Sequence, residues 1–82
     1  MNFYVYMLLS RDKKKVSYVG YTNNLKKRLI LHNSSKGAKF TRGRQWKLIY
    51  KENFKSKSEA ISREYYIKKH RTLRNNIKHN NK

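Results

Sequence analysis

Apolar positions along this chain come in blocks separated by stretches rich in lysine, serine and asparagine, and their spacing changes from block to block. A spacing of two marks a strand and one near 3.6 marks a helix. Phe3-Tyr4-Val5-Tyr6-Met7-Leu8-Leu9 is an unbroken aromatic and β-branched run, which reads as a strand at least partly covered on both faces. Alternation puts Tyr4, Tyr6 and Leu8 on one of those faces. Arg11 to Lys15 is a polar turn, and Val16 to Tyr21 reads as the returning strand of a hairpin. Val16, Tyr18 and Gly20 share one face of it.

The period then lengthens. Thr22 or Asn23 is the expected cap of a helix running to about Asn33. Leu25, Arg28, Leu29 and His32 fall within one arc of roughly 100° on its wheel, so Arg28 and His32 belong to the apolar, sheet-facing side. Lys26 and Lys27 point elsewhere. Ile30 and Leu31 fit the stripe poorly and imply a broader buried face. Ser34 to Gln45 is a loop carrying Lys36, Lys39, Arg42 and Arg44. Trp46 to Lys51 alternates as a third strand extending toward Phe54. Ser56-Lys57-Ser58-Glu59 has the spacing of a capping box and opens a second helix ending near His70. Ala60, Ile61, Tyr65 and Ile67 are its expected buried face. Residues 71–82 form a basic, Asn-rich extension to a single domain of residues 1–70, expected to begin as a short helix and then fray.

Composition narrows the class of protein. An 82-residue chain supports one small core, and it has no cysteine for disulfides or a thiolate metal site. The lack of cysteine fits a reducing, cytoplasmic setting. Twenty-two Lys and Arg against four Asp and Glu give a formal charge of +18, which calls for a polyanionic partner. Nucleic acid is the expected one. No basic amphipathic helix with a wide apolar face suggests a membrane surface, and the run from Phe3 is about a third of a membrane span.

The few residues that break the pattern carry the chemistry. Glu64 falls inside the buried arc of the second helix, where a carboxylate is costly unless paired or bound to a cation. An i, i+4 pair with Lys68 and a metal-binding role explain it equally well. Glu59 is accounted for by capping and Asp12 by the turn, while Glu52 has no specific signal. Arg28 offers a planar fork for two phosphate oxygens, and His32 can exchange a proton near neutrality. Tyr6 and Tyr18, on paired strands, can meet on one face opposite Arg28. A tyrosine orients water well but is a poor base at neutrality, unless a nearby arginine or metal lowers its pKa. The basic loop with Phe40 suits phosphate contacts and stacking on a base. The three histidines are too dispersed for a zinc site.

Tyr4-Val5-Tyr6, Tyr18-Val19-Gly20, Arg28 and Glu64-x-x-Ile67-Lys68, in this order and spacing, resemble the GIY-YIG nuclease domain, in particular its short stand-alone bacterial members. The resemblance spans residues 3 to about 69. It implies an α+β fold, with a small three-stranded antiparallel sheet flanked by helices in the order β-β-α-β-α. It also implies a single divalent metal, Mg2+ or Mn2+, held by Glu64. Tyr6 and Tyr18 would position or deprotonate the attacking water. Arg28 would steady the scissile phosphate, and His32 would assist proton transfer or the tyrosine network. Tyr4 stands in place of the first motif's glycine. Larger members carry a late asparagine near the phosphate, for which Asn75 and Asn76 are candidates without either being assigned. The expected function is metal-dependent hydrolysis of DNA by a monomer, with DNA favoured over RNA. A nucleic-acid-binding module that retains the fold without cleavage is the alternative.

Overall fold

The computed structural model describes residues 2–80. Strands β1 (Phe3–Ser10), β2 (Ser17–Thr22) and β3 (Trp46–Phe54) form one antiparallel sheet in the order β2-β1-β3. Helix α1 (Leu25–Asn33) follows the hairpin, and α2 (Lys57–Lys69) and α3 (Arg71–His79) follow β3. This is the expected α+β architecture, extended by one helix. Tyr6 lies opposite Gly20 and Leu8 opposite Tyr18, so these residues share a face, as alternation required. The β1–β3 ladder shifts register between Met7 and Leu8, which pair with Tyr50 and Leu48 and leave Ile49 as the extra residue of a bulge.

β1 is central, and its near-continuous apolar run is explained by two separate cores. On one face Tyr6 and Leu8 pack with Trp46, and Leu25 and Leu29 of α1 cover them. On the other, Val5, Met7, Val19 and Ile49 pack with Ala60 and Ile67 of α2 and Ile77 of α3. Ile77 makes α3 part of the packed domain; the fraying expected at the very end falls on residues 81–82, outside those described. Among the described residues, no helix is long and apolar enough to cross a membrane.

Several local expectations are corrected. The cap of α1 is Asn24, whose side chain accepts from the Lys27 N–H at 3.1 Å; Thr22 sits two residues earlier and accepts from the Asn24 N–H. Ile30 is 59% exposed, so the buried face of α1 is not broadened to include it. Ile61 and Tyr65 of α2 are also exposed. The packed stripe of α2 is instead Ala60, Arg63, Glu64 and Ile67, with the charged pair half-buried at spacing 3-1-3. Hydropathy hides such a stripe, because two of its members are ions. Arg63 earns its place by binding Glu52 of β3 at 2.7 Å, the role that the sequence did not show for Glu52. Ser56 and Glu59 do close the start of α2, with the Ser56 hydroxyl donating to the carboxylate at 2.8 Å and accepting from the Glu59 N–H.

Candidate active site

The site is assembled from the hairpin, α1 and α2. A cleft of about 470 Å3 opens at the end of the sheet where β1 begins and β2 ends. Tyr6, Tyr18, Gly20, Arg28 and Glu64 line it, with Phe3, Asn23 and Lys57 at its margins. Tyr6 and Tyr18 approach with ring centroids 6.4 Å apart. Gly20 is required by this approach. A Cβ there would stand 2.6 Å from the Tyr6 hydroxyl and 3.1 Å from the Tyr18 ring.

Behind the cleft, a hydrogen-bonded relay fixes protonation states. The Thr41 hydroxyl donates to the Ala38 carbonyl at 3.0 Å, so toward the His32 Nδ1, 2.9 Å away, it must accept. His32 is therefore the Nδ1–H tautomer, assigned from its partners. Its Nε2 carries a lone pair, and the Tyr6 hydroxyl donates to it at 2.8 Å. His32 is fully buried, and its contact on the cleft side is the Tyr6 hydroxyl. Burial, and secondarily the Arg28 charge, hold its pKa below the ordinary value and keep the ring neutral. Trp46 anchors the far end by donating its indole N–H to the Thr41 carbonyl at 2.9 Å. Asn33 clamps α1 to β3, accepting from the Trp46 N–H through its side-chain oxygen. Gly37 lies against His32, and any Cβ would collide with the ring. Thr41 and Gly37 lie in a segment with no hydropathy signal, and only the tertiary fold brings them to His32.

The expectation that Arg28 would lower a tyrosine pKa is reversed at Tyr6. Burial dominates and pushes the hydroxyl up to about 12, although the Arg28 guanidinium pulls the other way. Arg28 has a buried Nε with no hydrogen-bond partner among the described residues. An unsatisfied donor of this kind costs about 1–3 kcal/mol, and an anionic oxygen in the cleft would satisfy it. Glu64, with a side chain 17% exposed, stands 3.4 Å from Lys68 Nζ. The i, i+4 pair and the cleft position therefore coexist.

The residues fit a hard divalent ion of the Mg2+ kind. Among the described residues, Glu64 is the single carboxylate lining the cleft, and no group of three or more His, Cys, Asp or Glu side chains is placed to hold a metal ion. The basic side chains of the loop are not among those that line the cleft. Lys36, Lys39 and Arg42 are exposed, whereas Arg44 is held by Asp12 of the hairpin turn at 2.9 Å. Phe40 is half-exposed and stacks on Tyr18 at 6.1 Å, extending the tyrosine pair toward that loop. Asn75 lines a different cavity at the other end of the sheet.

The sheet, α1 and α2 thus gather two tyrosines, an arginine and a glutamate into one cleft of a small α+β domain. Residues 2–78 match the GIY-YIG catalytic domain, and the chain belongs to this family, a nuclease superfamily. It is 57% identical over 67 residues to a UPF0213 protein of Clostridium perfringens, covering 80% of this chain and 70% of that one. A UPF0213 protein of Oceanobacillus iheyensis is 52% identical over 66 residues, covering 79% and 74%. The solution NMR structure of a UPF0213 protein from Bacillus halodurans superposes with a TM-score of 0.57 at 40% identity, covering 94% of this chain and 82% of that one.

Proposed function

We propose that the protein is a divalent-metal-dependent endonuclease that hydrolyses phosphodiester bonds in DNA. The observation that carries this reading is the unpartnered, buried Arg28 Nε in a cleft shared with Tyr6, Tyr18 and Glu64. A scissile phosphate would receive the guanidinium fork of Arg28, whose charge offsets the negative charge that grows on the phosphate oxygens. Water attacks phosphorus in line with the leaving oxygen, and its proton passes to the Tyr6 hydroxyl oxygen. Tyr6 gives its own proton to His32 Nε2, so no free phenolate forms despite a pKa of about 12. The resulting imidazolium keeps its Nδ1–H on Thr41. The leaving oxygen takes a proton from solvent. Tyr18, packed 5.1 Å from His32, confines the water on the open side. A bound Mg2+ or Mn2+, held by Glu64, would supply Lewis-acid stabilisation of the phosphate.

The alternative, a binding module without cleavage, draws on the Glu64–Lys68 pair, which gives Glu64 a structural use. Glu64→Gln separates the two readings. The nuclease reading expects loss of Mn2+-dependent cleavage, a metal-induced rise in melting temperature in the parent that the variant lacks, and nearly unchanged DNA binding. The binding-module reading expects a stability loss of similar size in EDTA and in Mg2+, with no cleavage by either protein.

A further inference from the structure

Among the described residues a second cavity is larger than the tyrosine cleft. About 690 Å3 in size, it lies at the opposite end of the sheet and is lined by Leu9, Arg11, Lys15, Lys47, Asn75 and Lys78, together with Ser10 and His79. Ser10 of the cavity stands seven residues along β1 from Phe3 of the cleft, about 20 Å at about 3.3 Å per residue, so the far ends of the two sites lie at opposite ends of the strand. Leu9 of the cavity packs with the α2–α3 core.

Its charge is uncompensated. Arg11, Lys15, Lys47 and Lys78 have no ion-pair partner among the described residues. The four Asp and Glu side chains are engaged elsewhere: Asp12 with Arg44, Glu52 with Arg63, Glu64 with Lys68, and Glu59 with the Ser56 hydroxyl. The C-terminal end of α3 contributes a partial charge of about −0.5 at most, far less than four cations. Like charges around one cavity repel each other, and an external anion relieves them. The volume falls within the range of roughly 300–1,000 Å3 typical of sites for small ligands. Leu9 and the aliphatic lysine stems offer apolar surface beside the charges, and Asn75 offers an amide. Phosphate next to a flat, partly apolar group matches that lining.

We propose that this basic cavity is a second binding site, which takes a nucleotide unit by its phosphate. The unit is either part of a nucleic-acid strand or a free mononucleotide. It operates independently of the tyrosine cleft and does not require cleavage.

The test is a metal-free 1H–15N titration of the full chain at 0.15 M salt, with 5′-AMP in one arm and a twelve-nucleotide single-stranded DNA in the other. Backbone amides of Arg11, Lys47, Asn75 and Lys78 report the cavity, and those of Tyr18 and Arg28 report the cleft. Saturable shifts at the cavity with AMP support the site and show that it takes free nucleotide. Cavity shifts with DNA alone support it as a strand site. Lys47→Gln/Lys78→Gln should weaken the cavity response by about tenfold or more, as expected for losing charge-assisted contacts. Lys26→Gln/Lys27→Gln should leave it within about twofold, because those charges are distant and screened. Lys15→Gln, in the exposed turn, is the second variant should the double substitution unfold the protein. Cavity amides that do not respond to either ligand, shifts spread evenly over surface lysines, or a double variant that responds like the parent would overturn the inference. Failure of the nuclease reading shows separately, as absent cleavage with the cavity shifts intact.

Discussion

Tyr6 stands between two opposed electrostatic influences, and burial wins. Its hydroxyl is pushed from 10.0 up to about 12, so the folded protein holds its proton more tightly than the unfolded chain does. The stabilisation this represents is fully present below pH 10 and is lost as pH rises from about 10 to about 12. A two-unit shift corresponds to roughly 2–3 kcal/mol. Urea midpoints measured between pH 9 and 12 should therefore fall more steeply for the parent than for Tyr6→Phe. Parallel slopes would contradict the buried, proton-donating hydroxyl. Gly20 tests the same neighbourhood sterically. Gly20→Ala places a methyl 2.6 Å from the Tyr6 hydroxyl, so it should break the bond to His32, cost roughly 1–3 kcal/mol and suppress cleavage. Crystallography or the His32 15N shifts would show whether Tyr6 has been displaced.

At the level of elements, legibility followed the periodicity. The hairpin, α1, β3 and the capped start of α2 could be read because alternation, arc and cap each have a local cause. The face of α2 was misread at Ile61 and Tyr65, because its packed stripe holds Arg63 and Glu64, whose fit depends on Glu52 and the cleft across the fold. The site residues Tyr6, Tyr18, Arg28 and Glu64 stood out as polar groups on apolar faces. His32 stood out in the same way, and its place beside the tyrosines was expected; its other partner, Thr41, carries no such signal, since it comes from a short 3-10 turn within the basic loop. Helix α3 was read as a trailing extension because its one fully packed residue, Ile77, sits among polar neighbours. Ile77→Ala should cost about 2–4 kcal/mol of unfolding free energy. A loss below about 0.5 kcal/mol in chemical denaturation would mean that α3 lies outside the cooperative unit.

For the molecule as a whole, a charge of +18 separates holding a nucleic acid from cutting it. Many cations share the binding, so deleting one contact changes the salt dependence by about one unit of slope and leaves affinity largely intact. The proposed cleavage would have no such redundancy, because among the described residues the cleft is lined by one arginine, whose buried donor is unpartnered. The most direct test compares the parent with Arg28→Lys on end-labelled single-stranded, duplex and branched DNA in Mn2+, with binding and cleavage measured on the same substrates. The lysine keeps the charge and loses the fork, so binding should hold within about twofold while cleavage falls by roughly a hundredfold or more. Equal cleavage by the two proteins, or no metal-dependent cleavage by the parent on any of these substrates, would contradict the assignment of this cleft as a nuclease active site.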